Sequence, residues 1–323
     1  MKKLTLLCLL LMLAVSCKKI QEKKVEKEIT IDSLSVKKHL YTLADDEMKG
    51  RKTGTPGIEK AAKYIENEFK NIGLTTYDTL DNFRQTFTFT DYKTNKELTS
   101  SNIIGVLEGT TKKDEYVVIS AHYDHLGVRK IEGQLDSIYN GANDNASGVT
   151  GVLALAEYFK LKGNNERTIL FVAFTAEEMG LLGSTHFGKG IDANQFVAGI
   201  NLEMIGKEPS FGPKTAWLTG FERSNFGTIV QNNLKGSGYT LHADPYTNFN
   251  LFFRSDNASL AKLGVPSHTF STTAIDVDKN YHKVSDEAET LDVAVITETI
   301  KAIAKGTESI INGKDTPTRI VLK

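Results

Sequence analysis

The sequence predicts an α/β sandwich, a central sheet with helices on both faces. Three observations lead there. Short β-branched runs, Tyr116–Ala121 (YVVISA), Thr168–Thr175 (TILFVAFT) and Phe196–Leu202 (FVAGINL), are bounded by polar turns and read as central strands. Stretches with helical periodicity alternate with them. Each run also stops at residues that carry chemistry: His122 and Asp124, then Glu177 and Glu178, then Glu203. In open α/β sheets, ligands bind beyond the carboxyl ends of the strands. His, Asp and Glu are therefore expected at one edge of the sheet, which suggests a metal site.

Taken in order, Met1–Ser16 holds Lys2 and Lys3 followed by the apolar run Leu4–Val15. That run falls short of the roughly 20 apolar residues that span a bilayer and reads as a signal peptide. Ala14-Val15-Ser16-Cys17 resembles a bacterial lipobox, with Ala14 where leucine is usual, and Cys17 as the lipidated residue. Residues 17–33 include the charged stretch Lys18–Thr30 and read as a tether. Residues 34–323 read as one catalytic domain. The expected location is outside the cytoplasm, lipid-anchored to the bacterial envelope on its periplasmic face or at the cell surface.

Leu34–Leu43 reads as a short helix, followed by a glycine-rich turn, Lys49–Gly57. No G-K-[ST] follows, so this is a loop before a helix rather than a phosphate loop. Ile58–Ile72 places Ala61, Ala62, Ile65, Phe69 and Ile72 on one helical face, with Gly73 as its terminator. Arg84–Tyr92 alternates strictly and predicts a half-exposed strand; Asn102–Leu107 predicts another. Arg129–Tyr139 is a polar insertion expected as a loop on the rim of the site. Gly148–Leu161 predicts a helix with Val149, Val152, Leu153, Ala156 and Phe159 inward. Leu181–Phe187 and Asn225–Leu234 read as helices, Trp217 and Pro266–Phe270 as strand positions, and Asp292–Ile311 as a closing amphipathic helix.

Composition excludes some functions. With 39 basic and 40 acidic residues the net charge is −1, and loss of Lys2 and Lys3 leaves 37 against 40, or −3. That balance does not suit an electrostatic nucleic-acid binder. The two cysteines, Cys8 and Cys17, both precede the domain, so a metal there must be held by histidines and carboxylates.

His122 and Asp124 stand two apart at a strand end, on one side of it. That spacing lets a carboxylate hold one imidazole N–H while the other nitrogen faces a metal. His125, next in sequence, reads as a rim residue outside the ligand set. Asp144 lies in G-A-N-D-N-A-S-G directly before a helix, where Asn145 or Ser147 would also serve as a cap. Glu177 and Glu178 are adjacent on a turn, so one can bind metal while the other faces substrate. Glu203 ends an apolar run, where an unpaired acid would be costly to desolvate. His282 lies in the polar loop N-Y-H-K.

The pieces H-Y-D, G-A-N-D-N-A-S-G, F-T-A-E-E-M-G-L-L-G-S, N-L-E-M-I-G and Y-H-K, in this order, resemble the M28 family of zinc aminopeptidases. The resemblance runs from about Leu40 to the C-terminus. It implies a three-layer α/β/α sandwich of the zinc-peptidase type with a mixed, mostly parallel sheet. It also implies two zinc ions, one on His122 and Glu203 and the other on Glu178 and His282, with Asp144 bridging and a cis Asp144–Asn145 peptide. Glu177 would be the general base toward a metal-bridging water, Asp124 the partner of His122, and Tyr281 a donor to the transition-state oxyanion. Three carboxylates and a bridging hydroxide would balance two Zn²⁺. Peptides would be the substrates. Glu203 stands where many relatives have Asp, and Asn257 where many have His. The implied activity is removal of N-terminal residues from peptides. The alternatives are a single-zinc glutaminyl cyclase and a catalytically inactive receptor or scaffold relative.

The expectation at the N-terminus has a direct test. Mass spectrometry of the membrane fraction should find a mature protein beginning at lipid-modified Cys17. An unmodified protein beginning elsewhere would exclude the anchor.

Overall fold

The computed structural model describes residues 29–322. The signal segment, Cys17 and most of the tether lie outside the described residues. Ile31 is buried and Asp32 caps the first helix, so the folded unit starts a few residues before position 34.

The first helix, α1 (Ser33–Leu43), is capped by the Asp32 carboxylate, which accepts from the Leu34 and Ser35 amides. A 3₁₀ turn, Asp46–Arg51, leads to α2 (Pro56–Ile72). Proline at the first position starts α2 and Gly73 at φ 81° ends it. Two antiparallel strands follow, β1 (Arg84–Asp91) and β2 (Lys96–Leu107). The strand β3 (Lys112–His122) ends at the first candidate ligand. The segment expected as a plain rim loop is pinned at its ends by a small antiparallel pair, β4 (Gly127–Val128) and β5 (Ile138–Tyr139). Then come α3 (Ser147–Lys162), β6 (Arg167–Phe174), α4 (Leu182–Lys189) and β7 (Phe196–Leu202). The last third of the chain adds β8 (Thr215–Leu218), α5 (Phe226–Asn233), β9 (Thr240–Ala243), α6 (Asn257–Ala261), β10 (Ser267–Ser271) and α7 (Val293–Ile311). Among the described helices none is long and apolar enough to cross a membrane.

The sheet runs β1-β2-β6-β3-β7-β10-β8-β9. Its centre, β6-β3-β7-β10, is parallel, while β1, β2 and β8 join antiparallel to their inner neighbours. Alternate side chains enter different cores. Ile169, Phe171 and Ala173 of β6 face the core shared with α1, α2, α3, α5 and α7; Leu170, Val172 and Phe174 face the one shared with α4 and α6. Burial on both faces explains why the central strands read as continuous apolar runs rather than as alternating ones.

From β3 the chain crosses to β6 on one side and then to β7 on the other, so the strand order reverses at β3. The carboxyl ends of these three neighbours open into the crevice where such sheets bind ligands. Arg51 ties the crevice loops together. It is fully buried, and its guanidinium donates to the carbonyls of Tyr123 (2.9 Å), Leu43 (2.6 Å), Asn140 (2.6 Å) and Gly141 (2.9 Å). It thereby joins the end of α1 to the loops that carry Asp124 and Asp144.

Removing Arg51 orphans buried carbonyls at about 1–3 kcal/mol each. Arg51→Ala should therefore lower unfolding stability by at least about 3 kcal/mol, measured by urea denaturation. A loss below about 1 kcal/mol would show that the clamp is dispensable.

Candidate metal centre

Seven sequence-predicted residues converge beyond the ends of β3, β6 and β7. His122 is the last residue of β3 and is buried. Its Nε2 lies 3.1 Å from Glu203 Oε1 and 3.2 Å from Asp144 Oδ1. On the far side of Asp144, His282 Nε2 lies 3.1 Å from Oδ2 and 3.2 Å from Glu178 Oε1. Asp144 thus offers one oxygen to each of two clusters, and the Asp144–Asn145 peptide is cis. Glu177 borders the same cavity, as does Tyr281, whose ring stacks on that of His282 at 3.9 Å between centroids.

Asp124 behaves differently from the sequence reading. The hydrogen bond of His122 Nδ1 goes to the Asp124 backbone carbonyl at 3.1 Å, with the carboxylate 3.7 Å away. That carboxylate instead accepts from the Glu177 amide (3.1 Å), the Glu178 amide (3.3 Å) and the Thr53 hydroxyl (3.2 Å). Two residues along an extended backbone place both groups on one side, but the following turn supplies closer donors to the carboxylate. Asp124 therefore holds the turn that presents both glutamates, while its carbonyl orients His122.

Sequence reading missed several supporting groups. His125 is fully buried rather than on the rim, with Nδ1 2.9 Å from Glu178 Oε1 and 3.7 Å from Asp144 Oδ2. Asp286 accepts from the amides of Asn143 (2.9 Å) and Asp144 (3.0 Å), fixing the loop that aims the shared carboxylate. The Ser255 hydroxyl donates to Glu203 Oε2 at 2.8 Å. Asn257 donates to the Phe252 carbonyl (3.0 Å) and accepts from the Thr269 hydroxyl (2.8 Å), so it braces α6 against β10. The H-Y-D-H run was a visible signal for His125, whereas Asp286 stands 142 residues from the amide of Asp144 with no local pattern to mark it.

Electrostatics separates the two adjacent glutamates. Burial lifts Glu177 well above the ordinary carboxylate range, and Glu203, Asp256 and Glu178 add to this against the pull of His122. Burial and the Asp144 charge also act to raise Glu178, but contacts with His125 and His282 outweigh them and bring it down to about 2. Burial opposes the charge on His282, yet its bonds to Asp144 and Glu178 raise it to about 10. Burial likewise opposes charge on His122, and nearby Glu203 and Glu177 overcome it and hold the ring protonated.

The donor set fits divalent metals. Two groups, His122–Asp144–Glu203 and His125–Asp144–Glu178, each bring oxygen and imidazole nitrogen atoms within 4.8 Å of one another. Among the described residues, Glu178 Oε1 and both His125 nitrogens have no hydrogen-bond partner despite their proximity. A third group, His39 with Glu68 and Glu157, lies among the helices; there His39 already bonds Tyr64 Oη at 2.7 Å and needs no cation.

Residues 102–307 match Peptidase family M28. The chain belongs to this family. Aminopeptidase YwaD of Bacillus subtilis is 35% identical over 112 residues, 33% of this chain and 22% of YwaD. The alkaline phosphatase isozyme conversion protein of Escherichia coli is 33% identical over 145 residues, 43% of this chain and 41% of that protein. The matched part is thus less than half the length of either curated relative. Among solved structures, BSAP, a zinc aminopeptidase from Bacillus subtilis, superposes with a TM-score of 0.73 at 16% identity, covering 92% of this chain and 100% of BSAP. The glutaminyl cyclase of Porphyromonas gingivalis gives 0.70 at 16% identity, covering 87% and 99%. At these identities the likeness shows that this M28 chain has their fold.

Zinc ligation by His122 and His282 requires neutral imidazoles, so uptake should release protons. Affinity should fall as pH drops, because His282, held up to about 10, and His122 then keep their protons more firmly. Calorimetry in buffers of different ionisation enthalpy reads this release directly. Zinc at 100 times its dissociation constant should add about 2.7 kcal/mol per site, raising the melting temperature by several degrees. Unchanged melting and no proton release would argue against metal at these residues.

Proposed function

We propose that this chain is a zinc-dependent aminopeptidase that hydrolyses the first peptide bond of peptide substrates. The observation that carries the reading is the divided use of Asp144, one oxygen toward His122 and Glu203 and the other toward His282 and Glu178, beside a half-buried and separate Glu177. In this reading two zinc ions are held, one by His122, Asp144 and Glu203, the other by Asp144, Glu178 and His282. When bound, they polarise the substrate carbonyl, make water acidic enough to attack and anchor the free amino group.

The chain's own residues supply the remaining steps. Glu177, with its elevated proton affinity, takes the proton from the attacking water and delivers it to the leaving amine. Asp124 fixes the backbone that aims Glu177. Tyr281 faces the same cavity and donates a hydrogen bond to the oxyanion. Burial holds the Tyr281 phenol protonated across the working range, so its donor is always present. Trp217, Leu251 and Ile275 give the cavity an apolar wall for the first side chain, and Arg254 borders it. The segment around His242–Arg254 therefore contributes to the pocket, while Arg129 lines a second cleft together with Glu178. The lipobox reading adds a lipid anchor at Cys17 and an extracytoplasmic location, which would present the enzyme to external peptides.

The test compares two variants for rate and zinc content, with a panel of aminoacyl and peptide substrates that includes N-terminal glutamine. Glu177→Gln should lose about 10²–10⁴ in kcat, the usual contribution of general acid–base catalysis, and keep its zinc. Glu178→Gln should lose zinc as well as rate, since an amide ligates zinc less well. Zinc loss in the first variant and retention in the second would exchange the roles. Cyclisation of the glutamine peptide without hydrolysis of the others would replace the peptidase reading with a cyclase.

A further inference from the structure

We infer that His125 is an additional protein ligand, so that the ion beside Glu178 meets four protein donors (Asp144, Glu178, His282 and His125) while the ion beside Glu203 meets three (Asp144, Glu203 and His122). The inference rests on the two-zinc reading above and adds an asymmetry to it.

The His125 ring is buried with its polar atoms unaccounted for. His125 has no accessible side-chain surface, and neither ring nitrogen has a hydrogen-bond partner among the described residues. Such orphaned polar atoms are rare in folded proteins, because burying them unpaired is costly. Nδ1 nevertheless stands 2.9 Å from Glu178 Oε1, itself unpartnered, and 3.7 Å from Asp144 Oδ2. The His282 nitrogen approaches the same two oxygens at 3.1 and 3.2 Å. The two imidazoles meet edge to face, 5.7 Å between ring centroids.

The ring is held in place by the backbone. Gly141 has φ +54°, and a Cβ there would lie 2.5 Å from His125 Cγ and Cδ2. Only glycine leaves room for the imidazole at that point. The same glycine carbonyl is tied to Arg51, and the His125 amide donates to the Arg51 carbonyl at 3.3 Å. His125 is therefore set before any metal arrives, which favours its use as a donor over collapse against a neighbour.

Donor number decides what each ion is suited for. Zinc sites closed by four protein donors serve structure, whereas catalytic sites keep a position open beside three. The Glu178 side would then be the retained, organising ion. The Glu203 side would keep its open position toward the cavity that holds Glu177 and Tyr281.

Zinc content after graded chelation, with calorimetric zinc titration, tests this on wild type, Glu203→Gln, His125→Ala and His125→Leu. Wild type should bind about two ions and surrender one first, and Glu203→Gln should keep the resistant one. Both His125 variants should weaken the resistant ion by at least about 10–100-fold, the loss seen on removing even outer partners of a metal ligand. Circular dichroism checks folding; should the alanine variant fail to fold, the leucine variant fills the space without a donor and decides the question. Folded His125 variants with wild-type affinities for both ions would overturn the inference. So would a loss that falls on the ion Glu203→Gln removes. Absence of zinc from wild type would overturn the two-zinc reading as well, and is distinguishable from the other outcomes.

Discussion

The structure depends on buried negative charge gathered at the carboxyl ends of three adjacent parallel strands. Buried Asp144 lies beside half-buried Glu178 and Glu203, with buried Asp124, Asp256 and Asp286 and half-buried Glu177 close behind. Carboxylates taken out of water are stable only when paired, protonated or bound to metal. The strain is visible in the proton affinities: burial lifts Asp256 to about 7 and raises Glu177 and Glu203, while the histidines pull Asp144 and Glu178 down. Protons on His122 and His282 offset part of this charge, and divalent cations would offset more at the same atoms.

The architecture serves that constraint. A parallel sheet buried on both faces can end several strands at one level, and β3, β6 and β7 do so as neighbours. The loops beyond them would repel one another without a fixed frame. Arg51 supplies one, binding four carbonyls from three segments and bringing a positive charge near Asp144, Asp286 and Asp124. Burial lowers its proton affinity to about 10, which still leaves it charged at neutral pH.

Much of this was legible in the sequence because local pattern and chemistry coincided. The runs before His122, Glu177 and Glu203 are apolar for most of their length rather than alternating, as strands buried on both faces are. The ordered motifs then carried the resemblance to the family. What stayed hidden depends on long-range contact. Asp286 looks like any loop aspartate until the fold brings it to the amides of Asn143 and Asp144. Arg51 sits in a glycine-rich turn that reads as a loop before a helix, and nothing nearby announces its four carbonyl partners. The edge strand β9 is short and half-exposed, so it lacks the apolar run that marked the inner strands. His125 reads as a rim residue because adjacency to His122 and Asp124 does not reveal which way the chain turns after β3.

The same kind of turn explains how two consecutive glutamates come to differ. Ala176, just before them, adopts φ 54°, a left-handed conformation that an L-residue holds only when its surroundings impose it. The imposing group is Asp124, whose two oxygens accept from the amides of Glu177 and Glu178 separately. Pinned there, the side chains enter opposite surroundings: Glu178 faces the imidazoles of His125 and His282, and Glu177 turns toward the cavity and the carboxylates of Glu203 and Asp256. One environment stabilises a permanent anion and the other raises affinity for a proton. Neighbouring acids driven apart in this way are how a site assigns one carboxylate to hold charge and another to move protons. Asp124 thus contributes by fixing a backbone geometry from which both roles follow.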